Sequence, residues 1–131
     1  MILAHLRAAL PNEGCALLAC PDTDGADVLV TRIYPGTNTL ASPTRFEMDP
    51  SEIIAAFASM RENALRLAAI VHSHPVDPPR LSRIDLREAN YPEAALVVVS
   101  FLPAVPEVAA WRLLPGQRTR PRPVPFHVAG P

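Results

Sequence analysis

Residues 67–85 read Leu-Ala-Ala-Ile-Val-His-Ser-His-Pro-Val-Asp-Pro-Pro-Arg-Leu-Ser-Arg-Ile-Asp, and the first nine constrain the chain more than any other stretch. The apolar run from Leu67 to Val71 predicts a buried strand, and side chains two apart on a strand share a face. His72 and His74, at the end of that run, therefore present both imidazoles to one side. Pro75 lacks a ladder donor and stops the strand, while Pro78 and Pro79 stiffen the loop that follows. Ser82-Arg-Ile-Asp then opens a predicted helix over 82–90, with Asp85 in its first turn and able to turn its carboxylate back toward the strand end. Two titratable rings in a buried run are costly unless something organises them. Two neutral imidazoles and one carboxylate make a catalytic zinc set, with the fourth tetrahedral position left to water. The same Ser82 and Asp85 spacing also fits a capping box, which needs no metal.

His-x-His-Pro, six residues, then Ser-x-x-Asp resembles the signature of the JAMM (also called MPN-plus) metallopeptidases, here His72, His74, Ser82 and Asp85. That family has a glutamate far upstream beside an apolar strand, and Glu13, in Pro11-Asn-Glu-Gly-Cys15 running into Ala16–Cys20, matches the position. The similarity to the short bacterial and archaeal members continues through Asn38, Ser42-Pro-Thr-Arg-Phe46 and the strand from Leu96 to Phe101. Ala16 and Cys20 stand where relatives commonly carry glycine, and Leu81 where many carry proline, so packing on the strand after Glu13 is the point to compare. The resemblance implies a cytidine-deaminase-like α/β single domain and a zinc ion (Zn2+) on His72, His74 and Asp85. It also implies Glu13 as the general base that takes a proton from water and returns it to the leaving amine, with the Ser82 hydroxyl a donor to the oxyanion.

The substrate implied is a ubiquitin-like or sulfur-carrier protein, hydrolysed at the peptide or isopeptide bond after its C-terminal Gly-Gly. Such a tail has no side chains and can lie along a sheet edge, with the carrier's body near the loop from Pro35 to Pro43. A variant of this reading releases a single amino acid from a sulfur carrier. A rival from another class is a catalytically idle scaffold or binding module on the same fold, favoured by loss of any ligand. A nucleoside deaminase needs His-x-Glu with Pro-Cys-x-x-Cys, and a gluzincin needs His-Glu-x-x-His; the chain has neither.

A length of 131 residues suits one domain, with 115–131 as a proline-rich tail. A formal net charge of −1 gives no electrostatic case for nucleic acid or an anionic membrane. The longest apolar stretch, 94–105, is broken by Ser100 and Pro103 and is too short to span a bilayer. The first residues lack the basic segment and long apolar core of a signal peptide, which predicts a cytoplasmic protein. Lysine is absent, so the protein has no side-chain amine for conjugation. Cys15 and Cys20, about 16 Å apart on one strand, are out of disulfide range and read as small buried hydrophobes.

The rest of the chain predicts a mixed sheet flanked by helices. Ile2, Leu3, Leu6 and Leu10 space a short helix over 2–10, and His5 on it, like His127 near the far end, is given no role. Strands over 14–20 and 27–34, joined by turn residues 21–25, form a hairpin, and a third strand covers 44–48. Asp49 caps a helix with Pro50 at its first position and Glu52 completing the box. That helix runs to Arg66, with Ile53, Phe57, Met60, Ala64 and Leu67 as its core stripe. Strands over 94–101 and 108–114 make an edge pair, and 124–128 adds a last strand.

Overall fold

Alternation along one strand builds both layers of the fold. In the computed structural model, which describes all residues except Met1, 23–27, Asn90, Pro92, Pro115, 117–119 and 126–131, β1 spans Cys15–Pro21. Ala16 and Leu18 point to one face, where they pack with Leu6 of α1 (Ile2–Ala8). Cys15, Leu17 and Ala19 point to the other, beneath Ala56 and Met60 of α2 (Pro50–Glu62). The two cysteines are free and buried.

The sheet completes with β2 (Arg32–Gly36), β3 (Leu65–His74), β4 (Ala95–Ser100), β5 (Glu107–Arg112) and β6 (Arg122–Val124), in the order β2-β1-β3-β4-β5-β6. Only β3 and β4 pair in parallel, joined by a crossover that contains α3 (Arg83–Glu88). The mixed sheet flanked by helices matches the expectation from sequence. A bulge where Leu18 and Ala19 of β1 face Ala69 and Leu67 of β3 leaves Ala68 over. That extra residue lets Leu67 share the α2 face with Ile70, and with it the parity of His72 and His74. No helix among the described residues is long and apolar enough to cross a membrane.

Several boundaries differ from the sequence reading. The first helix stops at Ala8, and of its four apolar positions only Leu6 is buried; Leu3 and Leu10 are exposed. The second strand begins at Arg32 and runs through Gly36, two residues past the end expected from sequence. Pro35 is tolerated there because β2 is an edge strand. Asp27, most of the turn before it and His127 lie outside the described residues. The segment 44–48 is not a strand but a loop with one isolated bridge, Asn38 to Met48.

Helix α2 ends at Glu62, four residues early, because Asn63 Nδ2 donates to the Ser59 carbonyl at 2.8 Å and Ala64 turns left-handed at φ 53°. Leu67 consequently joins the strand, not the helical stripe. Asp49 caps the helix as expected, accepting from Ser51 N at 2.9 Å. Glu52 does not close a box: its carboxylate accepts from Thr37 N at 2.7 Å and Thr37 Oγ1 at 3.0 Å, tying the helix to the loop. Strand β5 is interior and β6, starting at Arg122, is the edge. His5 is half-buried and donates to the Cys15 carbonyl at 2.9 Å, so it fastens α1 to β1.

Candidate metal centre

The site forms where β3 ends, at the carboxyl end of the parallel pair, a position at which open α/β sheets commonly hold ligands. His72 and His74, two apart on the strand, face the same side and are buried at 2% and 4% exposure. Asp85 arrives from the first turn of α3 with its side chain buried. The three donor atoms form a nearly equilateral triangle: His72 Nε2 to His74 Nε2 3.1 Å, His72 Nε2 to Asp85 Oδ2 3.2 Å, His74 Nε2 to Asp85 Oδ2 3.1 Å. Ligands about 2.0 Å from a tetrahedral ion lie roughly 3.3 Å from each other, so these separations fit a divalent cation.

The surroundings fix which atoms face the centre. His74 Nδ1 lies 2.8 Å from the Pro78 carbonyl and must donate there, which leaves the Nε2 lone pair of the neutral ring pointing at Asp85. The loop that carries Pro78 is itself pinned to the sheet. Trp111 Nε1 donates to the Pro79 carbonyl at 3.1 Å, Ser100 Oγ donates to the Asp77 carbonyl, and Phe101 N donates to the His74 carbonyl at 3.0 Å. His72 stacks on Phe46 with centroids 4.8 Å apart and planes at 18°. The Nε2 atoms of two rings and a carboxylate oxygen thus converge on one point, an arrangement with the donor set to hold a cation.

Protons take that place in the metal-free site. Burial pulls the His74 imidazole down, but the bonds to Asp85 and the Pro78 carbonyl outweigh it and raise its pKa. Burial pushes Asp85 up, yet the side-chain bonds from His72 and His74, the His72 charge and the Ser82 N–H hold it well below the usual carboxylate range.

Ser82 and Asp85 form the capping box that their spacing predicts. Ser82 Oγ accepts from Asp85 N at 3.0 Å and Ser82 N donates to Asp85 Oδ2 at 2.9 Å, a complete capping box. The same Oδ2 atom belongs to the donor triangle, so the cap also sets where that oxygen points.

Glu13 precedes β1, and continuing the register Cys15 to His72 sets it opposite His74 on the same face. It is 3% exposed, and its Oε1 has no hydrogen-bond partner among the described residues. Burial pushes its carboxyl up to about 8, with the Asp85 and Asp77 charges adding and His74 opposing. Its backbone is clamped: Glu13 N donates to the Ser42 carbonyl at 2.8 Å, and Asn38 Nδ2 donates to the Glu13 carbonyl at 3.0 Å. The next residue, Gly14, donates to Ser73 Oγ at 2.8 Å and accepts from Ser73 N at 3.0 Å, between the two histidines. Cys15, opposite His72 on the same face, has its thiol pushed up to about 12 by burial and by the Glu52 and Glu13 charges. It stays a neutral apolar neighbour.

The sequence reading brought Asn38 and Phe46 in by resemblance but gave them no role. Besides Glu13, the Asn38 amide donates to the Arg45 carbonyl at 3.0 Å, and its Oδ1 accepts from Leu40 N and Glu47 N, both at 3.1 Å. This one side chain therefore replaces the ladder expected over 44–48 and positions both Glu13 and the loop that bears Phe46. Its signal in the sequence was the turn-forming cluster Asn38 to Pro43. Strand β3 is paired with β1 and β4 up to the histidines, so among the described residues the edge strand near the site is β2, whose Gly36 pairs with Cys15 opposite His72.

A mixed α/β sheet with this His-x-His and Asp triangle at one strand end, and a buried glutamate facing it, defines a JAB-type (JAMM) domain. The chain matches the prokaryotic homologs of the JAB domain over residues 1–114, and it belongs to that family. It is 33% identical over 119 residues to the CysO-cysteine peptidase of Mycobacterium bovis, covering 90% of this chain and 80% of that protein. It is 43% identical over 83 residues to the desampylase of Pyrococcus furiosus, covering 63% of this chain and 59% of that protein. A solution structure of a protein from Desulfitobacterium hafniense superposes with a TM-score of 0.77 at 39% identity, covering 86% of this chain and 77% of the other.

Proposed function

We propose that this protein is a zinc metallopeptidase that hydrolyses the bond after the C-terminal Gly-Gly of a ubiquitin-like or sulfur-carrier protein. One observation supports this above the others: a buried glutamate oxygen without a partner, on the same sheet face as a donor triangle of tetrahedral dimensions. A binding module has no use for such a costly group, whereas amide hydrolysis needs a base there. The names of its relatives, which are peptidases, point the same way.

His72, His74 and Asp85 hold the ion. When bound, it supplies Lewis acidity, polarising the scissile carbonyl and making water a nucleophile near neutral pH. Glu13 takes a proton from the attacking water and delivers it to the departing amine, a role that its buried carboxylate on the same sheet face as the triangle allows. Ser82 uses its oxygen as the helix cap, which leaves its hydroxyl hydrogen to donate to the oxyanion. Asn38 and Ser42 keep the backbone of Glu13 in place throughout. With β3 paired on both sides, the Gly-Gly tail reaches the ligands past the loops 37–48 and 75–82, and the carrier's body docks near Pro35 to Pro43.

The extent of the match to the CysO-cysteine peptidase, 90% of this chain, favours a second reading in which a single residue is released from a sulfur carrier. Both are tested by incubating the zinc-loaded protein with a carrier joined through Gly-Gly to a lysine side chain, to an α-amine of a protein, and to one amino acid. Cleavage of the protein conjugates supports the first reading, and cleavage of the single-residue fusion alone supports the second. Cleavage of none by a zinc-replete protein removes both.

A further inference from the structure

Between α3 and the sheet face that carries the ligands lies a cavity of about 440 Å³. His72 and Asp85 form part of its wall, and Leu17, Ile53, Ile70 and Tyr91 make much of the rest. Helix α3 contributes Ile84, Asp85 and Glu88 to the wall. We propose that this cavity is the subsite for the leaving residue, the one on the amine side of the cleaved bond, and that it selects an apolar side chain.

The proposal rests on the peptidase reading above. In that reading the carrier contributes glycine at both positions before the bond, and glycine has no side chain to occupy apolar space. Two of the metal ligands belong to the cavity wall, so its occupant adjoins the scissile bond. The remaining neighbour of that bond is the leaving residue. A volume of about 440 Å³ is within the range of small-ligand pockets and holds a branched or aromatic side chain together with its backbone. Moving such a side chain from water into an apolar wall is worth roughly 10- to 100-fold in kcat/KM over glycine. A negatively charged leaving residue faces the opposite sign, because Glu47, Asp85 and Glu88 line the same cavity.

The test is a series of Gly-Gly fusions whose leaving residue is glycine, alanine, leucine, phenylalanine or aspartate, each followed by the same amide. The expected result is a rise in kcat/KM of roughly 10- to 100-fold from glycine to leucine or phenylalanine, with aspartate lowest. A flat series, or a preference that follows the residue before the Gly-Gly instead, overturns the subsite and leaves the peptidase reading standing. No cleavage of any member by metal-loaded protein overturns that reading and the subsite with it. Ile53→Trp, which fills the cavity from α2, should bring the leucine-to-glycine ratio close to one, and an unchanged ratio in the folded variant overturns the proposal. Methyl NMR of the wild type supplies a readout independent of turnover. Leucinamide should shift the methyl signals of Leu17, Ile53 and Ile70 while glycinamide does not, and shifts confined to other methyls overturn the assignment.

Discussion

Removing the metal should make the protein's stability fall as pH rises from 5 to 8, the reverse of the usual carboxylate effect. Glu13 has an ordinary value of 4.5 when unfolded and about 8 in the folded site, chiefly through burial. Between those values the native state holds a proton that the unfolded state has released, so unfolding becomes easier with each step upward in pH. His74, also raised in the folded site, acts in the same direction: its contribution is full below its unfolded pKa and is lost as pH climbs through the folded one. Asp85 is depressed, and its contribution is lost only in strong acid, outside this window. A rise from 4.5 to about 8, at about 1.4 kcal/mol per pH unit, sets a ceiling near 5 kcal/mol for Glu13. Solvent screening at the mouth of the site brings it to roughly 3 kcal/mol. For a chain of this length that is about 10 °C in Tm. Thermal melts of chelator-stripped protein between pH 5 and 8.5, with Glu13→Gln alongside, measure it. The wild type should lose most of that stability, and the variant should keep only the shallower fall that His74 contributes. An apo protein that gains stability toward pH 8, or a Glu13→Gln variant with the same slope as wild type, refutes the argument.

Ser82→Ala should lose about 1 kcal/mol from the missing cap and about 10²- to 10³-fold in turnover, with metal content by elemental analysis unchanged. Asn38→Asp keeps the acceptor for Leu40 N and Glu47 N but turns a carboxylate toward the Glu13 and Arg45 carbonyls. It should cost about 2 kcal/mol in denaturant titration and lower kcat while the metal remains bound. Gly14→Ala places a Cβ 3.1 Å from both Leu6 Cδ2 and Ala9 Cβ; moving α1 aside should cost about 1 to 3 kcal/mol in the same assay.

The donor triangle was legible because its logic is local. His72 and His74 need only the two-residue period of a strand, and Asp85 needs only the first turn of a helix. Glu13 was different: nothing within ten residues of it speaks of chemistry, and it was found through resemblance alone. The structure supplies the missing reason in the antiparallel register that sets residue 13 opposite residue 74. Two of the misread segments were decided by contacts outside them, and the third, the end of α2, by its own last turn. The strand expected over 44–48 gave way to the Asn38 side chain, Glu52 left its own helix end for Thr37, and α2 stopped where Ala64 turns left-handed to start β3. The departures noted at Ala16 and Cys20 are absorbed as well, since both side chains are fully packed and the close approach of α1 falls on Gly14.

Zinc titration of stripped protein, followed by turnover of a carrier fused through Gly-Gly to leucinamide, tests the central claim most directly. Activity should be absent without metal, rise linearly, and level at one equivalent per chain, with His74→Ala silent throughout. Cleavage by metal-free protein, or a zinc-saturated wild type that turns over none of the Gly-Gly conjugates, would contradict the account.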